Sequence, residues 1–487
     1  MIPRLSLIVF LVLLSLSGCI TLPDPEGSQD RTNDVVARLA DKEEILTQSF
    51  VSRRSRLNGI TLWIGSGSEE GDPALSTAFI SLFRENEPET PFSTTLLSIQ
   101  GSGQHTVHFP PADDQAGQRY FIEIRPDTGP LEIRGGNIDV YPLGESVVGE
   151  VPVEADIAFR LTYDYDLQAA LTDAWGMIKD LWLAFPFFAL LIAPGFLLLD
   201  LTGLRSRFDQ GEQLGISVGL SAAIIPLLML WTSTIDLPWS AISVRLLFGG
   251  IGLFALWRIL SPLIQSRRFK LQPAFLWLLV VCLFALGLRL AMVRDLSAPA
   301  WVDSVHHAFI TRLIVETGGF PNTYQPYFDI SPTEYHTGYH AGLAAFQWFT
   351  GLDLLQGMLI HGQVLNVLAV AVIYLLTTTL TKNRTAGVLS AAIAGLFTPM
   401  PAYYTSWGRY SQLAGLLLLP AALALVVRFI RIKLIGDRRP LTAFFALHHK
   451  YWKARGKAKS CDAQRTEDAI HETSCDAHRA EGANHSN

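Results

Sequence analysis

After residue 175 the chain is a succession of apolar runs, several of them as long as a helix needs to cross the hydrocarbon of a bilayer, which takes about 20 residues. In lipid every backbone polar group must be satisfied within the chain, so runs of this length read as membrane helices. Residues 181–199 and 214–235 carry no charge at all, and 239–260 and 272–293 carry Arg245 and Arg289 near their ends. Residues 354–381, 386–404 and 411–430 supply three more. Composition agrees: 49% apolar residues, 17% charged and a mean hydropathy of +0.28 are too apolar for a soluble chain of 487 residues. The expected fold is an α-helical polytopic membrane protein of about seven transmembrane helices after a signal, with an N-terminal all-β sandwich domain. A net charge of −6 with no basic face excludes nucleic acid as a partner.

The first 19 residues have the form of a secretion signal, with Arg4 ahead of an apolar run. LSGC at 16–19 resembles a bacterial lipobox in which Cys19 would be lipidated, as in a lipoprotein; an uncleaved anchor is the alternative. Residues 20–56 read as a linker with one helix in DVVARLADKEEILTQSF. From 57 to 166 short alternating runs such as GITLWIGSG, RYFIEIR and ADIAFRLTYDY, separated by Gly, Pro, Asn and Asp, predict an antiparallel sandwich. Trp63, Phe109, Tyr120, Tyr141 and Tyr163 could stack on sugars, but alternate aromatics more simply fill its core. Cys282, Cys461 and Cys475 imply no disulfide framework.

The basic loops LRSRFDQ, SRRFK, TKNR and RFIRIKLIGDRRP all fall on one side if the sandwich lies outside, as cytoplasmic loops should. Residues 341–352 are too short to cross and read as an interfacial helix or the mouth of the next span. The loop 295–340, with Asp303, His306, His307, Glu334, His336 and His340, and also Arg409, then sits on the exoplasmic side.

WVDSVHHAFITRL, residues 301–313, places a carboxylate and two imidazoles directly after an apolar run, where such groups are costly to keep without a use. Asp303 and His307 are four apart, His306 is three from Asp303, and His336 and His340 repeat the four-residue spacing, so each set shares a helix face. Such groups can move protons or hold a divalent metal, Mg or Mn, with Asp303, His307, Glu334, His336 and His340 as the ligand set. A purely structural alternative has Asp303 capping a helix that begins at Ser304. Arg409, in TSWGRYSQ among Tyr403, Tyr404, Trp407 and Tyr410, suits a phosphate headgroup, or else belongs to an interfacial aromatic belt.

An apolar span, a loop with an acidic residue followed by a helix and GGFP, then YHTGYHA leading into further spans, resembles the GT-C superfamily of polytopic glycosyltransferases over residues 272–435. The sandwich resembles exoplasmic modules attached to such bacterial proteins, with membrane helices over 175–271 between the two. The resemblance implies a multi-pass enzyme of the bacterial cytoplasmic membrane that moves a sugar from a polyprenyl-phosphate donor to an exoplasmic envelope glycan or protein. Asp303 would be the catalytic base, and His306, Arg409 and Tyr410 would contact substrate. Four spans precede Asp303, where the family's acidic loop usually follows the first. Residues 436–487 are abruptly polar and read as a disordered tail, or as out-of-frame sequence ending a shortened module. The rival expectation is a non-enzymatic cell-envelope protein whose sandwich binds glycan or a protein partner.

Overall fold

The fold is that of a computed structural model, which describes residues 20–24, 26–67, 75–266, 271–330 and 335–431. The signal with Cys19, Glu334 and the tail 436–487 lie outside the described residues. The chain divides into two compact units, one of Met1–Trp182 with Leu290–Ala298, the other of Leu183–Arg289 with Pro299–Asn487.

The first unit is β-rich. Its described strands are β1 (Ile20–Pro23), β2 (Asp34–Leu39), β3 (Leu46–Val51), β4 (Leu57–Gly65), β5 (Leu75–Arg84), β6 (Ser93–Gln100) and β7 (Ser102–His108). There follow β8 (Arg119–Thr128), β9 (Leu131–Gly136), β10 (Ser146–Val148), β11 (Val151–Val153), β12 (Asp156–Ile157) and β13 (Phe159–Tyr165). One sheet runs β1-β13-β4-β9-β12, with β2 also on β9 and β7 on β4; the other runs β11-β10-β3-β8-β5-β6. All pairings are antiparallel.

The inward residues of both sheets form one core, in which Phe50 meets Phe159 of the opposite sheet at 5.6 Å between ring centres. Four of the five aromatic candidates for sugar stacking, Phe109, Tyr120, Tyr141 and Tyr163, are buried in that core, and Arg160 covers Trp63. The expected linker 20–56 is a correction: it contributes β1, β2 and β3, and the helix expected in DVVARLADKEEILTQSF is two strands. Charges at alternate positions such as Asp34 and Arg38 obscured its period-two pattern. Gln48 and Asp156, both buried, bind each other at 3.2 Å, and Asp156 accepts the Val140 and Tyr141 amides at 2.7 Å, so the buried carboxylate is satisfied.

The helices are α1 (Leu167–Lys179), α2 (Ala184–Leu191), α3 (Ala193–Leu201), α4 (Gln210–Thr234), α5 (Ala241–Ser266), α6 (Pro273–Val293) and α7 (Val302–Thr317). Then come α8 (Gly338–Thr350), α9 (Leu354–Thr381), α10 (Arg384–Ala392), α11 (Tyr403–Ser406) and α12 (Tyr410–Ile430). Among the described residues five helices, α4, α5, α6, α9 and α12, are long and apolar enough to cross a membrane, or six if a bent helix pair ahead of α3 is taken as one span. The other two expected spans are interrupted. Residues 181–199 break at Ile192 into α2 and α3, with Pro194 in the first turn of α3. Residues 386–404 are the nine-residue α10, a π-helical turn at Ile393–Phe397 and an irregular stretch.

Helix α4 is the hub of the second unit. A Cβ on Gly211 would lie 2.4 Å from the Tyr374 ring of α9, one on Gly215 2.7 Å from Leu375, and one on Gly219 2.4 Å from Ala421 of α12. Gly211, Gly215 and Gly219 form a GxxxGxxxG row, a sequence signal for close helix approach that hydropathy alone overlooks. From α3, Gly195 meets α4 in the same way: its amide donates to Ser221 at 2.9 Å, and a Cβ there would lie 2.1 Å from the Ser217 carbonyl oxygen. Helix α8, read from the sequence as an interfacial helix or the mouth of the next span, packs into the core of the second unit, with Ala341, Leu343, Ala344, Ala345 and Phe346 fully buried.

Gly195→Ala should lower the thermal midpoint of the detergent-solubilised protein, by a destabilisation of about 1–3 kcal/mol, because backbone must move. Gly250→Ala, with nothing within 4 Å of its Cβ, should be neutral or stabilise slightly. Equal losses would contradict the close approach of α3 to α4.

Candidate functional site

Asp303 lies in the first turn of α7, not at its cap: the helix begins at Val302, and Trp301 at the N-cap position makes no side-chain capping bond. The capping role offered by the sequence therefore does not apply. Trp301 has φ 74° and ψ 149°, a region almost reserved for glycine that costs roughly 1–3 kcal/mol.

The Asp303 carboxylate forms an ion pair with Arg409 Nη1 at 3.0 Å, and both side chains are a little over one-third exposed. Gly408 makes this possible. Its φ of 63° turns the chain, and a Cβ there would sit 3.1 Å from both Asp303 Cβ and Ser304 Oγ. The turn is tied to α9 through α11, where Gln363 donates to the Thr405 hydroxyl at 3.1 Å. The Arg409 guanidinium lies 4.8 Å from the Trp407 ring centre.

One turn along α7, His307 is buried and hydrogen-bonds His340 of α8, Nδ1 to Nε2, at 2.9 Å. Burial lowers the His307 imidazole to about 4, partly offset by a bond to the Gly408 backbone. His340 is lowered to about 3, first by burial and then by the neighbouring His307 and His306. Both rings are therefore neutral at pH 7, and a neutral pair can share a single N–H between them.

Aromatic rings surround this pair. Tyr339 lies 5.6 Å from His307 and stacks on Tyr410 at 5.2 Å, and Tyr410 is 5.8 Å from His307. Tyr410, expected to contact substrate, is only 1% exposed and sits beneath the histidines as packing. His306 is half-buried, with Tyr335 edge-on at 4.9 Å. His336 is exposed, its ring 6.1 Å from that of Tyr335. The sequence reading overlooked Gly408, Trp301 and Tyr339; of these only Gly408, beside a cation between apolar runs, left a sequence signal.

Of the expected metal set, the structure brings together His307 and His340, which spend a nitrogen on each other, while Asp303 is engaged by Arg409. Among the described residues no three His, Cys, Asp or Glu side chains converge as a metal would need. The described members of that set, as arranged, do not fit a divalent metal, and no step is routed through one.

Comparison with known proteins defines the helical unit first. The model of DUF6541, a family of unknown function, matches residues 188–448, and the chain belongs to that family. No curated protein matches the chain. A family two carbohydrate esterase from Cellvibrio japonicus is similar at 13% identity over 28% of this chain and 35% of that one. The chain thus spans about a third of that structure, and the TM-score of 0.15 carries no argument about fold or activity.

Because the folded values of His307 and His340 lie below the ordinary 6.5, the unfolded chain takes up protons that the folded chain refuses as pH falls from about 6.5 toward 4. Stability should fall through that window, by at most about 1.4 kcal/mol per pH unit for each imidazole. The thermal midpoint read from pH 7 to 4.5 should drop less steeply for His307→Asn/His340→Asn than for wild type. Parallel slopes would contradict a buried neutral pair.

Proposed function

We propose that the protein is a membrane glycosyltransferase that moves a sugar from a polyprenyl phosphate to an exoplasmic acceptor, an envelope glycan or protein. The observation that carries this reading is the partly exposed Asp303–Arg409 pair, with Asp303 in the first turn of α7 and Arg409 at the start of the apolar helix α12. The bilayer is then the bacterial cytoplasmic membrane. The sandwich and Asp303 face its exoplasmic side, and the basic loops face inward.

In this mechanism the phosphate of the donor takes over the guanidinium of Arg409, whose planar fork matches two phosphate oxygens. That releases the Asp303 carboxylate to accept the proton of the acceptor hydroxyl. The acceptor oxygen bonds to the anomeric carbon as the bond from that carbon to the phosphate oxygen breaks, and the electron pair leaves on polyprenyl phosphate. Arg409 stabilises that leaving charge. The neutral His307 and His340 cannot share this task; they fix the α7 turn that presents Asp303 and His306.

The test is transfer of radiolabelled sugar from polyprenyl-phosphate donors in membranes. Asp303→Asn should lower transfer at least about 100-fold while membrane insertion is unchanged. Arg409→Lys keeps the charge but loses the fork and should weaken use of the donor about tenfold. Wild-type transfer by Asp303→Asn would overturn the assignment.

A further inference from the structure

Helix α1 turns an apolar stripe outward. Leu167, Leu171, Trp175 and Ile178 follow one another at steps of four, four and three residues, so they fall within an arc of about 80°. Trp182, in the short helical turn Asp180–Leu183, continues the series. Each of these five side chains is about half exposed or more. Gln168, Thr172 and Lys179 form a polar edge, and Asp173 lies on the far side of the helix from the stripe.

That far side is clamped within the first unit. The Asp173 carboxylate accepts the Tyr165 hydroxyl at 2.9 Å and Arg54 Nη1 at 3.3 Å, and pairs with Arg294 at 2.7 Å. Arg54 also donates to the Asp295 carboxylate at 3.0 Å, and Arg53 to the Asp295 carbonyl oxygen at 2.9 Å. Two guanidinium groups, of Arg54 and Arg294, thus face two carboxylates. Arg294 directly follows Val293, the last residue of the membrane-length helix α6. The polar side of α1 is therefore held within one side chain of the end of a span, at a bilayer boundary, and the stripe points away from the clamp.

We infer that α1 lies along the membrane surface and seats this stripe between the lipid headgroups and the acyl chains, as an interfacial helix that anchors the β-rich unit to the bilayer. A helix of this kind buries its apolar face about 5–10 Å deep. Tryptophan suits that level because its ring is apolar and its N–H is not, and the stripe carries Trp175 and Trp182. Lys179 is the only basic residue of α1, so apolar contact, not attraction to anionic lipid, supplies the binding. The rival placement makes α1 one half of a bent span that continues through 180–191. That would carry Asp173 and its charged partners into hydrocarbon, where they are most costly. The inference does not rest on the transferase reading, because none of these residues belongs to the Asp303–Arg409 pair.

The test uses the full chain in liposomes of phosphatidylcholine. Trp175→Cys, Gly176→Cys and Leu283→Cys are made one at a time together with Cys19→Ser, Cys282→Ser, Cys461→Ser and Cys475→Ser, and each is labelled with bimane. All three labelled positions are exposed. Fluorescence is quenched by phosphatidylcholine brominated near the headgroup end of its acyl chain, by phosphatidylcholine brominated near the terminal methyl, or by aqueous iodide. Position 175 should be quenched at least about twofold more by the shallow bromine than by the deep one. Position 176, on the side away from the stripe, should be quenched mainly by iodide, and position 283, midway along α6, mainly by the deep bromine. Leu171→Glu/Ile178→Glu should abolish lipid quenching at 175 and leave that at 283 unchanged. The inference is overturned if 175 follows 283, which would make α1 part of a span, or if it follows 176, which would leave the stripe in water. It is equally overturned if neither lipid nor iodide reaches 175, which would put a second copy or another protein over the stripe, or if 283 is not reached by the deep bromine, which would remove the boundary at Arg294.

Discussion

The second unit depends on how closely its helices can approach α4. Lipid offers no hydrophobic drive for helices to associate, so packing must supply it, and packing between backbones needs residues without side chains. Gly195, Gly211, Gly215 and Gly219 provide this toward α3, α9 and α12. On α9, Gly362 does the same for Tyr410, whose ring would meet a Cβ at 2.5 Å. The short helix α8 packs against α4, α7, α9 and α12. Its N-terminal turn brings His340 to within hydrogen-bonding distance of His307.

The polar site follows from that packing. Its two neutral imidazoles lie inside, where a charge would be expensive, and its charged pair lies where water can reach it. A partly exposed pair such as Asp303–Arg409 contributes little to stability, about 0–1 kcal/mol. It can therefore be opened at small cost by a ligand that offers Arg409 two phosphate oxygens. The folding energy of the unit lies in its buried apolar helices instead, which leaves the pair available for chemistry.

Much of this could be read in the sequence. Long apolar runs predict α4, α6, α9 and α12 within a few residues, because length and hydropathy decide them without tertiary help. Alternation marks β4, β8 and β13 for the same reason. The i, i+4 spacing in 303–307 places Asp303 and His307 on one helix face, and only the fold could bring His340 of α8 against them. The failures also have physical causes. β2 carries charges on its outward face and β3 follows the charged run DKEE, so both were masked as a linker. The breaks at Ile192 and after α10 fall inside runs apolar enough for a continuous span, so hydropathy could not find them. The contact of Asp303 with Arg409 joins residues a hundred positions apart through a positive-φ glycine, and single-sequence periodicity carries no long-range pairing.

The central claim is that the Asp303–Arg409 pair is the place where a lipid phosphate exchanges for a carboxylate. An experimental structure of the full chain with a polyprenyl phosphate bound tests it most directly. The account predicts the phosphate on the Arg409 guanidinium, with Asp303 released and facing the space where an acceptor hydroxyl would enter. A phosphate bound elsewhere, with the pair still closed as at 3.0 Å here, would contradict it.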